Sequence, residues 1–151
     1  MARVVGIGKQ SFEKIIKEKC FYVDKTAFIK EWWDNKDDVT IITRPRRFGK
    51  TLNMDMLKCF FSNEYKDRGD LFEGLDIWKD EKYCELQGTY PVIFLSFAEI
   101  KTNNFRDARE QICFQIVKMY KENDYLYGSG ILNDNEKKFF KSISMDMSDT
   151  V

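Results

Sequence analysis

Histidine is missing from this 151-residue chain. Its absence excludes histidine-based acid–base catalysis, Ser–His and Cys–His nucleophile pairs, and most zinc sites. The four cysteines are far apart, and no two of them form a Cys-x-x-Cys pair. Because each cysteine has apolar neighbours, we expect reduced, partly buried thiols rather than a redox or metal site.

An excess of charge of either sign is missing too, because 25 Lys and Arg residues balance 25 Asp and Glu residues. The balance argues against a general nucleic-acid or membrane-surface binder, although it allows a local basic patch. No apolar run approaches the roughly 18 residues of a membrane span, and no secretory leader is evident. We therefore expect a cytoplasmic protein without membrane contacts. The length fits one domain, and a hydrophobic content of 43% is enough for a core.

One stretch carries the strongest chemical signal. Residues 39–43 are β-branched and apolar, which predicts a buried strand. A basic turn then leads to Gly49, Lys50 and Thr51, and apolar residues follow at helical spacing: Leu52, Met56, Leu57, Phe60 and Phe61. Strand, tight loop, Gly-Lys-Thr and helix is the order that a phosphate-binding loop requires.

The residue types of this turn suit a nucleotide. Glycine lets the backbone approach a phosphate, Lys50 offers a compact charge to the β- and γ-phosphates, and the Thr51 hydroxyl can complete a Mg²⁺ shell. The start of the following helix adds unsatisfied N–H groups. The sequence therefore predicts binding of ATP and Mg²⁺, with these candidate nucleotide-binding residues: Arg46, Arg47, Phe48, Gly49, Lys50, Thr51 and Leu52.

The loop departs from the usual pattern at its start. In G-x-x-x-x-G-K-[ST] the first glycine would be residue 44, but this chain has Arg44 followed by Pro45. A positive φ at Arg44 would be strained, or the loop enters by a different turn with the guanidinium outside. Two interpretations stay open: a variant Walker A loop, and a structural turn with a solvated basic patch.

The segments around the loop predict an α/β fold. Residues 91–97 read as a second strand, and the connection of about 40 residues from the first strand contains a helix, so the two strands should be parallel. Ser96, at the end of the second strand, forms either a strand-end hydrogen bond or a polar contact on the γ-phosphate side. Residues 1–10 read as a lead-in and residues 144–151 as a frayed tail.

Several helices are predicted from their first residues and their apolar stripes. Ser11 should cap a short helix, and Asp24 should cap one that carries Trp32 and Trp33. The tryptophan pair either packs in the core or forms an aromatic surface for a base or a partner. A long helix should follow Asn103 and Asn104, and a last helix should follow Asn133 and Asp134.

Four spaced motifs closely resemble the AAA-ATPase-like family of bacterial P-loop NTPases, often joined to a C-terminal PD-(D/E)xK nuclease-like domain. They are Tyr22-Val-Asp-Lys-Thr26, Thr43-Arg-Pro-Arg-Arg-Phe-Gly-Lys-Thr51, Leu57-Lys-Cys-Phe-Phe61 and Pro91-Val-Ile-Phe-Leu-Ser-Phe97. The resemblance implies that an arginine at position 44 is usual. It also implies a contact near the nucleotide for Asp24 and Lys25, where the residues alone favour a helix cap.

The resemblance further implies a Walker B strand with acidic residues, which this sequence does not contain. We therefore expect residues 1–151 to form the N-terminal portion of the family's domain: a partial P-loop NTPase core of parallel strands with flanking helices, truncated before the Walker B strand. No catalytic residue is assignable, so we expect binding of nucleotide with little or no hydrolysis. ATP turnover above background that Lys50→Ala abolishes would contradict this expectation.

Two alternatives belong to other classes of function. The cluster of Arg44, Arg46 and Arg47 could dock nucleic-acid phosphates or an acidic partner without nucleotide turnover. Nucleic acid could also be a partner of the full-length protein. Otherwise the chain is a structural or interaction fragment that self-associates through exposed aromatic surface. The motif Lys50-Thr51 favours the nucleotide, because a plain basic patch has no need of a threonine after the lysine.

Overall fold

A computed structural model describes residues 4–6, 8–45 and 47–143, and these residues divide into two compact units, 1–92 and 93–151. The first unit contains four α-helices among its described residues, together with three short 3₁₀ helices at Asn63–Tyr65, Gly69–Leu71 and Asp76–Lys79. The α-helices are α1 (Phe12–Lys17), α2 (Ala27–Asn35), α3 (Lys50–Phe61) and α4 (Glu81–Leu86).

Helix α3 is the centre of the first unit. Met56, Cys59 and Phe60 on this helix are completely buried. The Phe60 ring lies edge-on to Phe72 with 5.2 Å between centroids, and Phe72 in turn stacks on Phe12 of α1 at 5.2 Å. Because buried aromatic side chains contribute the largest apolar areas, this cluster positions the helix whose first residues form the predicted loop.

Helix α1 is fixed to α3 by its first turn. The Ser11 hydroxyl accepts a hydrogen bond from the Lys14 N–H at 3.4 Å, which confirms the predicted cap. A carboxylate oxygen of Asp55 on α3 accepts from the Phe12 N–H at 2.6 Å. Two orphan donors of α1 are thereby satisfied, one of them from another helix.

The tryptophan pair of α2 packs against the end of α3. Trp33 stacks on Phe61 at 5.5 Å, and Trp32 meets the same ring edge-on at 5.4 Å. Both indoles are half-buried and pack against the core cluster. The packing interpretation of this pair is therefore confirmed.

A short return of the chain fastens the C-terminal end of α3. The Gly88 N–H donates to the Phe60 carbonyl at 2.8 Å, and the Tyr90 N–H donates to the Phe61 carbonyl at 2.9 Å. The Asn63 N–H donates back to the Tyr90 carbonyl at 2.8 Å. The resulting parallel bridge between Ser62 and Tyr90 is isolated and does not extend into a ladder.

The predicted α/β fold is wrong for this structure. Among residues 4–6, 8–45 and 47–143 there is no sheet, and neither 39–43 nor 91–97 forms a strand. Strand geometry is stabilised by a neighbouring strand that pairs its N–H and C=O groups, and these segments have none within the described chain. Val39 and Ile41 are each 80% exposed, so their β-branched side chains do not form the buried face that their sequence suggests.

The second unit contains α5 (Phe105–Glu122), α6 (Tyr125–Gly128) and α7 (Asp134–Ser142). The predicted long helix is confirmed, and Asn104 caps it by accepting from the Asp107 N–H at 2.8 Å. Asn133 and Glu136 form a reciprocal capping box at the start of α7. Tyr120 packs edge-on against Phe140, which joins α5 to α7.

Two further predictions concern segments that the structure describes in part or not at all. The tail expected at 144–151 lies outside them, and the lead-in at 1–10 is described at 4–6 and 8–10. None of the described helices is long and apolar enough to cross a membrane.

Candidate functional site

The predicted phosphate loop turns sharply into α3. Gly49 has a φ of 74° and Arg47 a φ of 69°, both in the left-handed region. Arg44 is not among the described residues with positive φ, so the strain considered for that position lies instead at Arg47, a non-glycine residue in the left-handed region. The Gly49 carbonyl accepts the first helical bond, from the Asn53 N–H at 2.9 Å.

The Lys50 ammonium folds back over this loop. Its Nζ donates a hydrogen bond to the Arg44 carbonyl at 2.5 Å. The loop from Arg44 to Lys50 is thereby closed by its own side chain. Because the first N–H groups of a helix have no partner within the helix, the backbone at Lys50, Thr51 and Leu52 adds hydrogen-bond donors beside the ammonium.

The loop borders a cleft of about 840 Å³ in the first unit. Its basic end is lined by Lys25, Arg47, Gly49, Lys50, Thr51 and Leu52. The cations of this end lie on different segments, and a Cβ added at Gly49 would lie 3.6 Å from the Lys25 ammonium. None of the described residues that line the cleft is acidic. The arrangement favours an anionic ligand.

Four of the predicted site residues that the structure describes do not line the cleft: Asp24, Arg44, Phe48 and Ser96. The Arg44 side chain is exposed, and the Arg44 backbone carbonyl accepts a hydrogen bond from Lys50. Phe48 is 55% exposed and does not line the cleft. Ser96 belongs to the second unit, where its hydroxyl accepts from the Ala98 N–H at 3.3 Å. Arg46 lies outside the described residues.

The prediction that Asp24 caps α2 is wrong, because the N-cap position is Thr26, whose side chain makes no capping hydrogen bond. Asp24 instead caps the turn before the helix and joins two elements. One carboxylate oxygen accepts from the Thr26 N–H at 2.8 Å and from the Thr26 hydroxyl at 2.7 Å. The other accepts from the Asp76 N–H at 2.7 Å, at the start of a 3₁₀ helix. The buried Thr26 hydroxyl also accepts from the Ile77 N–H at 3.1 Å. The Asp24 carboxylate therefore organises the segment just before α2, and Lys25 is carried by that segment.

The protonation of Asp24 follows from these contacts. Partial burial alone would raise the pKa of the carboxyl group, but hydrogen bonds from Thr26 and Asp76 outweigh it and lower the pKa. A carboxyl group with a lowered pKa in the folded state stabilises the fold above its unfolded pKa of about 3.9. That stabilisation is lost as the pH falls through the lower folded value.

We expect Asp24→Asn to lower the free energy of unfolding by about 1 kcal/mol at pH 7, because hydrogen bonds to a charged acceptor are stronger than those to a neutral one. The difference from wild type should shrink as the pH falls below about 4, where wild-type Asp24 also becomes neutral. Urea denaturation at pH 7 and at a pH below about 4 measures the difference in the free energy of unfolding. Asp38→Asn, at an exposed carboxylate, is the matched control. A constant difference at every pH would contradict the capping role.

The sequence interpretation missed the wall opposite the loop. Backbone and side chains of Val5, Gly6, Gly8, Lys9 and Gln10 line the cleft. Phe21 and Val23 line it too. The first of these segments was predicted only as part of a lead-in. A signal was present at 20–23, where Phe21 and Val23 are exposed while Cys20 and Tyr22 face the core.

A preformed metal cluster is not found at this site. The described residues contain no group of three or more Cys, Asp or Glu side chains that could hold a metal ion. The Thr51 hydroxyl is an exposed oxygen at the basic end of the cleft. Such a donor suits Mg²⁺ that keeps several waters and arrives with phosphate oxygens.

Comparison with known proteins gives a family match and one distant relative. The family model AAA-ATPase_like, described as Predicted AAA-ATPase, matches residues 6–151. An "Uncharacterized protein in vnfD 5'region" from Azotobacter chroococcum mcd 1 is 36% identical over 93 residues. The aligned segment covers 60% of this chain and 16% of that relative. No solved structure matches.

Proposed function

The chain belongs to the AAA-ATPase-like family, as its motifs indicated, and we propose that it binds ATP with Mg²⁺ at the basic end of the cleft. The observation that carries the proposal is the position of the Lys50 ammonium. It closes over the loop that begins α3, where backbone donors and two further cations border the same cleft.

The electrostatics of this end support a polyphosphate. Lys25 and the loop residues Arg47 and Lys50 bring three positive charges from two segments, and no carboxylate among the described lining residues opposes them. The start of α3 adds partial positive charge from its dipole and its unpaired N–H groups. Because Arg47 presents a planar fork of donors, it is suited to a phosphate that carries two free oxygens.

The proposed roles follow from the chemistry of each side chain. Lys50 exchanges the Arg44 carbonyl for a phosphate oxygen, and Lys25 and Arg47 neutralise the remaining charge. Mg²⁺ would be held by the Thr51 hydroxyl together with phosphate oxygens of the nucleotide, whose charge it would offset. We assign binding to these residues and no hydrolysis, because none of the described residues that line the cleft has a carboxylate that could orient a water for attack.

Calorimetric titration with ATP tests the proposal. Wild type should bind ATP saturably in the presence of Mg²⁺. Thr51→Val should weaken this binding roughly threefold to thirtyfold, because one metal ligand is lost without a change in side-chain shape. In EDTA the variant and wild type should bind ATP equally, which makes the metal-free titration the matched control.

The outcome that would contradict the proposal is equally direct. A wild-type chain that binds no ATP with or without Mg²⁺ excludes the nucleotide site. An equal loss of affinity with and without Mg²⁺ would show that Thr51 acts through the fold of α3 rather than through the metal. Thermal denaturation of the variant separates that result from a general loss of structure.

A further inference from the structure

Three exposed apolar residues outside the phosphate loop line the same cleft. Val5 is 63% exposed, Phe21 55% and Val23 60%, and all three side chains line the cleft. Single exposed apolar residues are ordinary on a protein surface. Here three of them share one concave wall, which we call the apolar wall, and a basic loop borders the same space.

The apolar wall is held in place from behind. In the segment 20–23, Cys20 is buried and Tyr22 is half-buried, while the residues between and after them point to the cleft. Tyr22 meets Phe12 edge-on at 5.5 Å, which fixes the segment to the core. The Phe21 N–H donates to the Val4 carbonyl at 2.8 Å, which joins the segment 4–6 to it. The segments that carry the wall are therefore fixed to the core of the first unit and to each other.

We infer that the apolar wall receives the nucleobase of the nucleoside triphosphate, with the Phe21 ring as its stacking surface. The inference rests on the proposed function, because it takes the basic end of the cleft as the phosphate site. It assigns a ligand contact to Val5, Phe21 and Val23, which neither the phosphate-loop motif nor the loop geometry includes.

The chemistry of the two ends favours this occupant. A nucleoside triphosphate is a molecule with a flat, largely apolar base at one end and a dense negative charge at the other. The described lining of the cleft combines this apolar wall with four cations, Lys9, Lys25, Arg47 and Lys50, of which Lys9 is paired with Glu18. Its volume of about 840 Å³ lies within the roughly 300–1,000 Å³ of ligand pockets that bury most of a small molecule.

Stacking on a single aromatic ring recognises the π face that every base has, so it gives affinity with little base preference. The inference therefore predicts that ATP and GTP both gain affinity from Phe21. Inorganic tripolyphosphate carries the same anionic end without a base. It should bind the basic end alone and should be indifferent to the apolar wall.

The experiment measures the affinity of the 151-residue chain for ATP and for tripolyphosphate, both with Mg²⁺, by calorimetry. Phe21→Ala should weaken ATP binding roughly fivefold to a hundredfold, which corresponds to the loss of one base–aromatic stack. It should leave tripolyphosphate binding unchanged. Val23→Ser should act in the same direction with a smaller effect, because an aliphatic contact is lost rather than a ring.

Phe114→Ala is the matched control, since Phe114 is a phenylalanine of similar exposure that does not line the cleft. It should change neither affinity. The melting temperature of each variant should match that of wild type, because each of the replaced residues is at least 50% exposed.

The outcomes separate this inference from the proposed function. If Lys50→Ala weakens both ligands while Phe21→Ala and Val23→Ser change neither, the loop binds phosphate and the inference on the wall is overturned. If wild type binds neither ATP nor tripolyphosphate, both proposals fall. If Phe21→Ala weakens the two ligands equally, the side chain supports the fold of the cleft and does not contact a base.

Discussion

Lys50→Ala should weaken the binding of Mg²⁺–ATP roughly 10- to 100-fold, which is the loss expected when a charge-assisted hydrogen bond to an anion is removed. The expectation follows from the place of the ammonium over the loop, where it reaches the Arg44 carbonyl at 2.5 Å. Lys25 and Arg47 stay in the cleft of the variant and retain part of the affinity. Calorimetric titration at fixed ionic strength measures the change.

Lys101→Ala is the matched control, because it removes the same charge at an exposed position outside the cleft. Its affinity for ATP should equal that of wild type. Because phosphate contacts are weakened by salt, the titrations should be repeated at two salt concentrations. An ATP affinity that is the same in wild type and Lys50→Ala would exclude the proposed role of the lysine.

The competing interpretation as a basic interaction surface makes a different prediction. A surface that docks nucleic-acid phosphates depends on the arginines of the loop rather than on Lys50. Binding of a single-stranded oligonucleotide that survives Lys50→Ala but is lost in Arg46→Ala would favour that interpretation. Fluorescence anisotropy with a labelled oligonucleotide distinguishes the two.

Gly88→Ala should lower the free energy of unfolding by about 3–4 kcal/mol, a large share of the stability of a domain of this size. Gly88 has a φ of 70°, and an added Cβ would overlap the Cα of Lys66 and lie 2.8 Å from its backbone nitrogen. Backbone atoms cannot turn aside as a flexible side chain can. The strand-like return that fastens the end of α3 through the Phe60 carbonyl must therefore shift.

Gly74→Ala separates the steric effect from the conformational one. Gly74 has a φ of 78°, and a Cβ there would meet no atom within 4 Å. Its substitution should cost about 1 kcal/mol from the left-handed backbone alone. Urea denaturation of both variants gives the comparison. Equal destabilisation by the two would show that the close approach of Gly88 to Lys66 is relieved at no cost.

The helices could be predicted because their signals are local. Ser11 and Asn133 cap helices through side chains that bond backbone groups two or three residues away, so the sequence contains both partners. The apolar repeat from Leu52 to Phe61 likewise predicts which face of α3 is buried, although not the elements that cover it. Such contacts need no knowledge of distant segments.

The sheet could not be predicted on the same basis. Residues 39–43 and 91–97 have strong β-propensity, but a strand forms only with a partner that supplies its hydrogen bonds. In the described chain the single bridge links Ser62 to Tyr90, and both residues lie outside the two predicted strands. β-propensity shows that a segment fits a pleated surface and does not show that the surface is present.

The candidate site likewise contains residues that a local motif predicts and residues that only the fold brings together. Gly49, Lys50 and Thr51 are adjacent in sequence, so a motif finds them. Lys25 reached the prediction only through the family resemblance, and the structure places it beside Gly49. The apolar wall was missed, because Val5 and Phe21 come to the cleft through a backbone hydrogen bond between segments that no local pattern records.

The closed loop has a consequence for the selectivity of the site. The ammonium of Lys50 is already confined by the Arg44 carbonyl, so little side-chain freedom remains to be lost when a ligand arrives. However, a ligand can replace the Arg44 carbonyl as the partner of Lys50 only if it is a better hydrogen-bond acceptor than a neutral peptide oxygen. At the proposed site, anions of high charge density would meet that condition and neutral or weakly polar molecules would not, so we expect the loop to select ligands of high charge density.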